Sequence, residues 1–362
     1  MGLGSGKETS SFMRDFLDKC GGFGVIDGGF ATELERHGAD LNDQLWSAKC
    51  LVNSSHLVRR VHLDYLDAGA NIILTASYQV IITLAFLSSH NSTTLTWMQA
   101  TIQGFVAKGF SREEGENMLR RSVEIAREAR EIYYNRCTKD SSDFMRNESY
   151  RTRPILIAAS VGSYGAYLAD GSEYVGDYGD AVTVQTLKDF HRERVKILVD
   201  AGADLIAFET IPNKLEAKAY AELLEEEGIE TPAWFSFSCK DESNVVSGDS
   251  IFECASIADS CRQVIAVGVN CTAPRFVHGL ISSITKATTK PVLVYPNSGE
   301  TYIAESNQWV KSSGLAEDDF VPYIGEWRDA GASLFGGCCR TTPNTIRGIA
   351  EAVYGKLNDK CI

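Results

Sequence analysis

Adjacent Cys338 and Cys339, in the run ASLFGGCCRTTP at 332–343, are the residues of this chain best suited to chemistry. An apolar stretch that stops at Gly336-Gly337 and then presents two thiols reads as a strand end where backbone can approach a ligand closely. Neighbouring cysteines make a strained disulfide. In a reducing compartment the pair therefore reads as a metal or redox site, or else as two small buried hydrophobes. What the fold places beside them decides between these readings.

The elements that must position the pair are visible as a repeat. DAGANIIL at 67–74 recurs as DAGADLIA at 200–207 and DAGASLFG at 329–336. In each copy a charged helix end meets a glycine (Gly69, Gly202, Gly331) suited to a left-handed C-cap, and an apolar strand follows directly. Eight continuous apolar runs fit parallel strands covered on both faces: 23–27, 71–75, 154–161, 204–208, 232–238, 264–270, 291–296 and 332–336. Helical patterns at 55–67, 112–134, 181–200, 213–227, 274–287 and 316–330 fall between them.

Eight βα units predict an α/β fold, a single-domain (β/α)8 TIM barrel over 12–355, with a flexible tail at 1–11. An open doubly wound sheet is disfavoured, because the first turn, DGGFAT, lacks the G-x-G-x-x-G fingerprint. The polar run 136–153 predicts an exposed connection. Residues 80–99, VIITLAFLSSHNSTTLTWMQ, contain no Asp, Glu, Lys or Arg and form an atypical insertion after strand two, on the working face of such a barrel.

With 44% hydrophobic residues and a net charge of −13, the composition is that of a soluble globular protein. That charge repels phosphate backbones and leaves small molecules, not nucleic acid, as the expected partners. Ten cysteines without a secretory signal predict reduced thiols and a cytoplasmic location. The apolar run Ile72 to Leu87 is too short for a membrane span and is interrupted by Thr75, Ser77, Gln79 and Thr83.

Functional groups of such a barrel come from the C-terminal strand ends. Here those ends are Asp27, Thr75, Ser160 to Ser163, Glu209, Ser236 and Ser238, Asn270 with Cys271, Tyr295 with Asn297, and Cys338 with Cys339. A third thiol thus reaches the rim that carries the first two. Three thiolates fit a zinc site with one open position, which favours a fourth, substrate thiolate and so points to alkyl transfer to sulfur. The histidines at 37, 56, 62, 90, 191 and 278 all fall away from strand ends.

GVNC at 268–271, GGCCRTTP at 336–343, DGGFAT at 27–32, ETIPN at 209–213 and YPNSGE at 295–300 together resemble the homocysteine S-methyltransferase family, of the plant type that uses S-methylmethionine. The resemblance runs from about residue 12 to 354 and omits 80–99. It implies a zinc enzyme that methylates homocysteine to methionine, with Cys271, Cys338 and Cys339 as ligands. It further implies that Asp27 and Glu209 bind the substrate amino group and the backbone of Gly28 and Gly29 its carboxylate; Asn270 joins the substrate-binding set. Tyr78, Tyr164, Tyr167 and Tyr295 are candidates to face a sulfonium donor. The alternatives are a relative using S-adenosylmethionine or betaine, and an isoform impaired by the insertion. That insertion has the form of an in-frame retained intron, since valine codons begin GT and one glutamine codon is CAG; a natural loop insertion is the other reading.

Overall fold

Each barrel strand is a short apolar run whose alternate side chains enter two different cores. The computed structural model describes residues 5–38, 55–84, 94–99, 101–107, 109–139, 153–168, 170–298, 301–303, 308–310 and 321–355. Eight strands make up the sheet: β1 Gly24–Val25, β2 Ile72–Leu74, β3 Leu156–Gly162, β4 Leu205–Ile211, β5 Ala233–Phe237, β6 Val264–Asn270, β7 Val292–Tyr295 and β8 Ala332–Phe335. All pair in parallel, in the order β1-β8-β7-β6-β5-β4-β3-β2. The circle closes between β1 and β2, where Ile26 bridges Ile72 and Asp27 N donates to Ile72 O at 3.0 Å.

Helices alternate with the strands: α1 Ser55–Asp67, α2 Arg112–Lys139, α3 Val184–Asp200, α4 Lys214–Glu226, α5 Ile251–Ser260, α6 Pro274–Ala287, α7 Val321–Asp329 and α8 Pro343–Tyr354. The predicted (β/α)8 barrel is therefore the fold. The three DAGA joints end α1, α3 and α7, and their glycines take φ of 108° (Gly69), 86° (Gly202) and 115° (Gly331). Side chains with a Cβ are strained there, which is why the repeat keeps glycine.

Ile26, Ile72, Ala158, Ala207, Trp234, Ala266, Leu293, Tyr295 and Leu334 fill the barrel interior, while Val25, Ile73, Phe208, Phe235, Val267 and Val294 pack outward against the helices. This double burial accounts for the unbroken apolar runs. The tail expected at 1–11 is helical from Ser5: a helix over Ser5–Lys19 brings Met13, Phe16 and Leu17 into the interior cluster, where Phe16 lies beside the start of β1. That end of the barrel is plugged, which leaves the opposite rim for function.

Within the insertion, Gln79–Leu84 pairs antiparallel with Thr94–Gln99, and the second of these strands runs beside the short helix Tyr164–Leu168. Most of the connection expected at 136–153 lies outside the described residues, as do 316–320. A further hairpin, Thr301–Ile303 with Gln308–Val310, follows β7 and was not anticipated from its sequence. Among the described residues no helix is long and apolar enough to cross a membrane.

Candidate active site

Two turns bring three thiols together. β6 ends at Asn270 and hands on Cys271, while the Gly336-Gly337 turn after β8 carries Cys338 and Cys339. Their Sγ atoms lie 2.7 Å (271 to 338), 3.9 Å (271 to 339) and 4.0 Å (338 to 339) apart. Zinc–sulfur bonds of about 2.3 Å in a tetrahedron require sulfurs about 3.8 Å apart. Two of the three separations match, and the Cys271 to Cys338 pair has to open by roughly 1 Å. A soft, all-sulfur donor set of this shape fits zinc. Hydrogen bonds from Cys271 and Cys338 hold Cys339 well below the ordinary thiol range, so one thiolate is already favoured in the cluster.

Backbone strain marks the same rim. Among the described residues, the non-glycine residues with positive φ are Thr210 (59°), Cys271 (48°) and Arg340 (66°), each next to or within a predicted site position. Such conformations cost free energy and persist where surrounding contacts enforce them. The contacts are present: Cys338 N donates to Pro296 O at 2.8 Å, Ser298 N to Cys339 O at 3.1 Å, and Gly337 N to Asp27 O at 3.1 Å.

Asp27 and Glu209 are both buried beside this cluster. Asp27 Oδ2 accepts from Leu74 N at 2.9 Å, while Oδ1 has no donor among the described residues. Glu209 accepts from the Ser160 hydroxyl and, through Oε2, from Tyr295 OH at 3.2 Å. Burial pushes Asp27 well above the usual carboxylate range and Glu209 up to about 7, with the Ser160 and Tyr295 hydrogen bonds opposing the shift at Glu209. Two acids short of positive charge, one with an unpaired oxygen, have the chemistry to receive an ammonium group.

The two glycines after Asp27 pack where no side chain fits. A Cβ on Gly29 would sit 2.7 Å from Cys338 O and 2.9 Å from Thr341 O; one on Gly28 would meet Thr341 Oγ1 and a Tyr65 ring carbon at 2.9 Å. The Gly29 amide is already engaged, donating to Thr341 Oγ1 at 3.0 Å. Of the two amides expected to hold a carboxylate, Gly29's therefore serves the junction between the β1 and β8 turns. Asn270 is likewise occupied. Its Oδ1 accepts from Thr210 N at 2.8 Å and from the Ser236 hydroxyl, and its Nδ2 donates to Thr210 Oγ1 at 2.8 Å. With these contacts Asn270 holds Thr210, and it leaves little capacity for a substrate.

The model of the family described as homocysteine S-methyltransferase matches residues 24–353. The chain belongs to the homocysteine S-methyltransferase family. Among members of this family, homocysteine S-methyltransferase 3 of Arabidopsis thaliana is 65% identical over 96% of this chain and 94% of that protein. Selenocysteine methyltransferase of Astragalus bisulcatus is 61% identical over 94% of this chain and 95% of its own. The metallated form of the homocysteine methyltransferase MmuM from Escherichia coli has 39% identity and a TM-score of 0.74, over 93% of this chain and 98% of that one.

At this homocysteine S-methyltransferase family site, Ser163 and Asn297 stand among the strand ends read from the sequence, whereas Glu173 and Ser298 are not singled out there. Ser163 Oγ, Glu173 Oε2, Asn297 Oδ1 and Ser298 Oγ are buried without hydrogen-bond partners among the described residues, as is Asp27 Oδ1. Unpaired buried polar atoms are rare in folded proteins, and a group of them at one rim marks a polar ligand site. Ser298 stands in YPNSGE, so that motif was the available signal; Glu173 had none. Of the four tyrosines, Tyr295 is buried in the Glu209 network and Tyr164 and Tyr167 pack on Phe190. Tyr78 hydrogen-bonds the Thr210 side chain within electrostatic range of Cys271 and Glu209.

Proposed function

We propose that this chain moves a methyl group from S-methylmethionine to the thiol of homocysteine, with zinc held by Cys271, Cys338 and Cys339. The observation that carries the reading is the meeting of three thiols from the β6 and β8 turns with the buried acids Asp27 and Glu209. Zinc on three thiolates supplies the Lewis acidity that keeps a fourth, substrate thiol in its thiolate form at neutral pH. Asp27 Oδ1 and Glu209 receive the homocysteine ammonium, and the Gly28 amide with the Ser298 hydroxyl receives its carboxylate.

The substrate sulfur attacks the donor methyl carbon in line. A new S–CH3 bond forms as the old one breaks, its electron pair stays on the donor sulfur, and both sulfur species end as methionine. The leaving group is a neutral thioether and needs no general acid, so the chain's task is alignment and exclusion of water. Tyr78 is assigned to face the sulfonium, because Tyr295 is committed to Glu209 and Tyr164 and Tyr167 pack on Phe190. The eight described cysteines are all free, which supports a reducing compartment such as the cytosol. Methionine formation by the zinc-loaded protein, assayed with S-methylmethionine, S-adenosylmethionine and betaine in turn, tests the reading. Turnover fastest with S-methylmethionine is expected, and no turnover with any donor overturns it.

A further inference from the structure

The loop after β3 presents an acid that the acceptor does not need. Helices Tyr164–Leu168 and Ser172–Val175 touch so closely that a Cβ on Gly165 would lie 2.6 Å from Glu173 N. The second helix is bracketed by left-handed Gly171 (φ 87°) and Gly176 (φ 72°), and Asn213 Nδ2 donates to Gly176 O at 2.9 Å. Ser172 N and Oγ donate to Asp170 Oδ1 at 2.9 and 2.5 Å. In this tied-down loop Glu173 Oε2 is buried with no donor among the described residues. A Cβ on Gly176 would lie 2.8 Å from Pro212 O, directly after the end of β4, so the loop that carries Glu173 packs at the strand end that presents Glu209.

A charge count gives this acid a task. The proposed reaction brings two amino acids together, and Asp27 with Glu209 accounts for one ammonium. The donor's sulfonium must lie against the attacking sulfur, whose negative charge it meets there. Its ammonium remains without a receptor, and among the described residues Glu173 is, besides Asp27, the rim acid whose buried oxygen has no partner. We propose that Glu173 receives the ammonium of the methyl donor, so that the donor is selected as an α-amino acid and not merely as a sulfonium. This rests on the S-methylmethionine reading above.

The test is steady-state kinetics of the zinc-loaded wild type and Glu173→Gln, with S-methylmethionine and with its des-amino analogue, a dimethylsulfonio alkanoate. In the wild type the analogue's KM is expected to be at least about tenfold the KM of S-methylmethionine, as for loss of a buried charge-assisted contact. Glu173→Gln should raise the S-methylmethionine KM by a similar factor, leave the analogue's KM within about twofold, and leave the homocysteine KM unchanged. If the variant does not fold, equal KM for the two donors in the wild type still overturns the assignment. An equal penalty on both donors, or a rise in homocysteine KM, overturns it as well. Failure of the wild type to use S-methylmethionine at all would instead remove the function reading beneath it.

Discussion

Asn270 holds Thr210 at both ends, its Oδ1 accepting from Thr210 N and its Nδ2 donating to Thr210 Oγ1, each at 2.8 Å. The grip keeps Thr210 at φ 59° and thereby fixes neighbouring Glu209, while Asn270 itself carries Cys271 into the site. Asn270→Ala leaves two buried groups of Thr210 and the Ser236 hydroxyl without their partner. Denaturant unfolding should show a loss of about 2–4 kcal/mol, with a raised homocysteine KM. Unchanged stability and kinetics would show that Asn270 has no positioning role.

Gly28 and Gly29 should respond differently to alanine. At Gly29 the new methyl meets two carbonyl oxygens of the Cys338 turn, which cannot rotate away; at Gly28 it meets atoms of the Thr341 and Tyr65 side chains. Gly29→Ala is expected to cost at least about 2 kcal/mol and to lower zinc content by displacing Cys338, with Gly28→Ala milder on both counts. Unfolding curves and metal analysis of the two variants make the comparison. Equal effects would contradict the packing argument.

Glu209 gives a pH signature with a definite sign. In the folded chain its carboxyl is pushed up to about 7 by burial, from an ordinary 4.5. Between these values the folded protein keeps a proton that the unfolded chain releases, so the contribution to stability falls as pH rises, by on the order of 3 kcal/mol over the window. Unfolding of metal-free wild type and Glu209→Gln between pH 4.5 and 7.5 measures the difference. The variant should lack this share of the decline; parallel curves would rule the effect out.

Removing residues 80–99 should raise turnover and solubility. The segment contributes a hairpin whose second strand runs beside Tyr164–Leu168, the helix packed on the loop of Glu173, and its sequence has no charge to keep it in water. Donor KM and yield of soluble protein with and without the segment decide this. Identical values in both would argue that the insertion is tolerated as an ordinary loop.

The barrel was legible because its signals are local and repeated. Each DAGA joint codes a helix end, a left-handed glycine and a strand within eight residues, and a strand buried on both faces leaves an unbroken apolar run. The three thiols were legible by topology, since strand ends six and eight must share a rim. What stayed hidden depends on contacts across the barrel. Sequence gives Asn270 a strand-end position but cannot show that Thr210 and Ser236 use up its amide. The same holds for the Gly29 amide, engaged by Thr341 more than 300 residues away. Glu173 carries no pattern at all, because its unpaired oxygen is defined by what the folded loop leaves out. The helix Ser5–Lys19 starts inside the tail expected at 1–11 because the polar run SGKETSS gives no apolar signal of its own and is joined to Met13, Phe16 and Leu17, which find their partners only inside the barrel.

The central claim is that Cys271, Cys338 and Cys339 hold one zinc ion on which methyl transfer depends. Its most direct measurement is zinc content and homocysteine methylation, determined together on wild type and Cys338→Ala. The account predicts about one zinc per chain with turnover for the wild type, and loss of both in the variant with the fold retained. A Cys338→Ala protein that kept full turnover, or a wild type that methylated homocysteine after complete chelation of its metal, would contradict it.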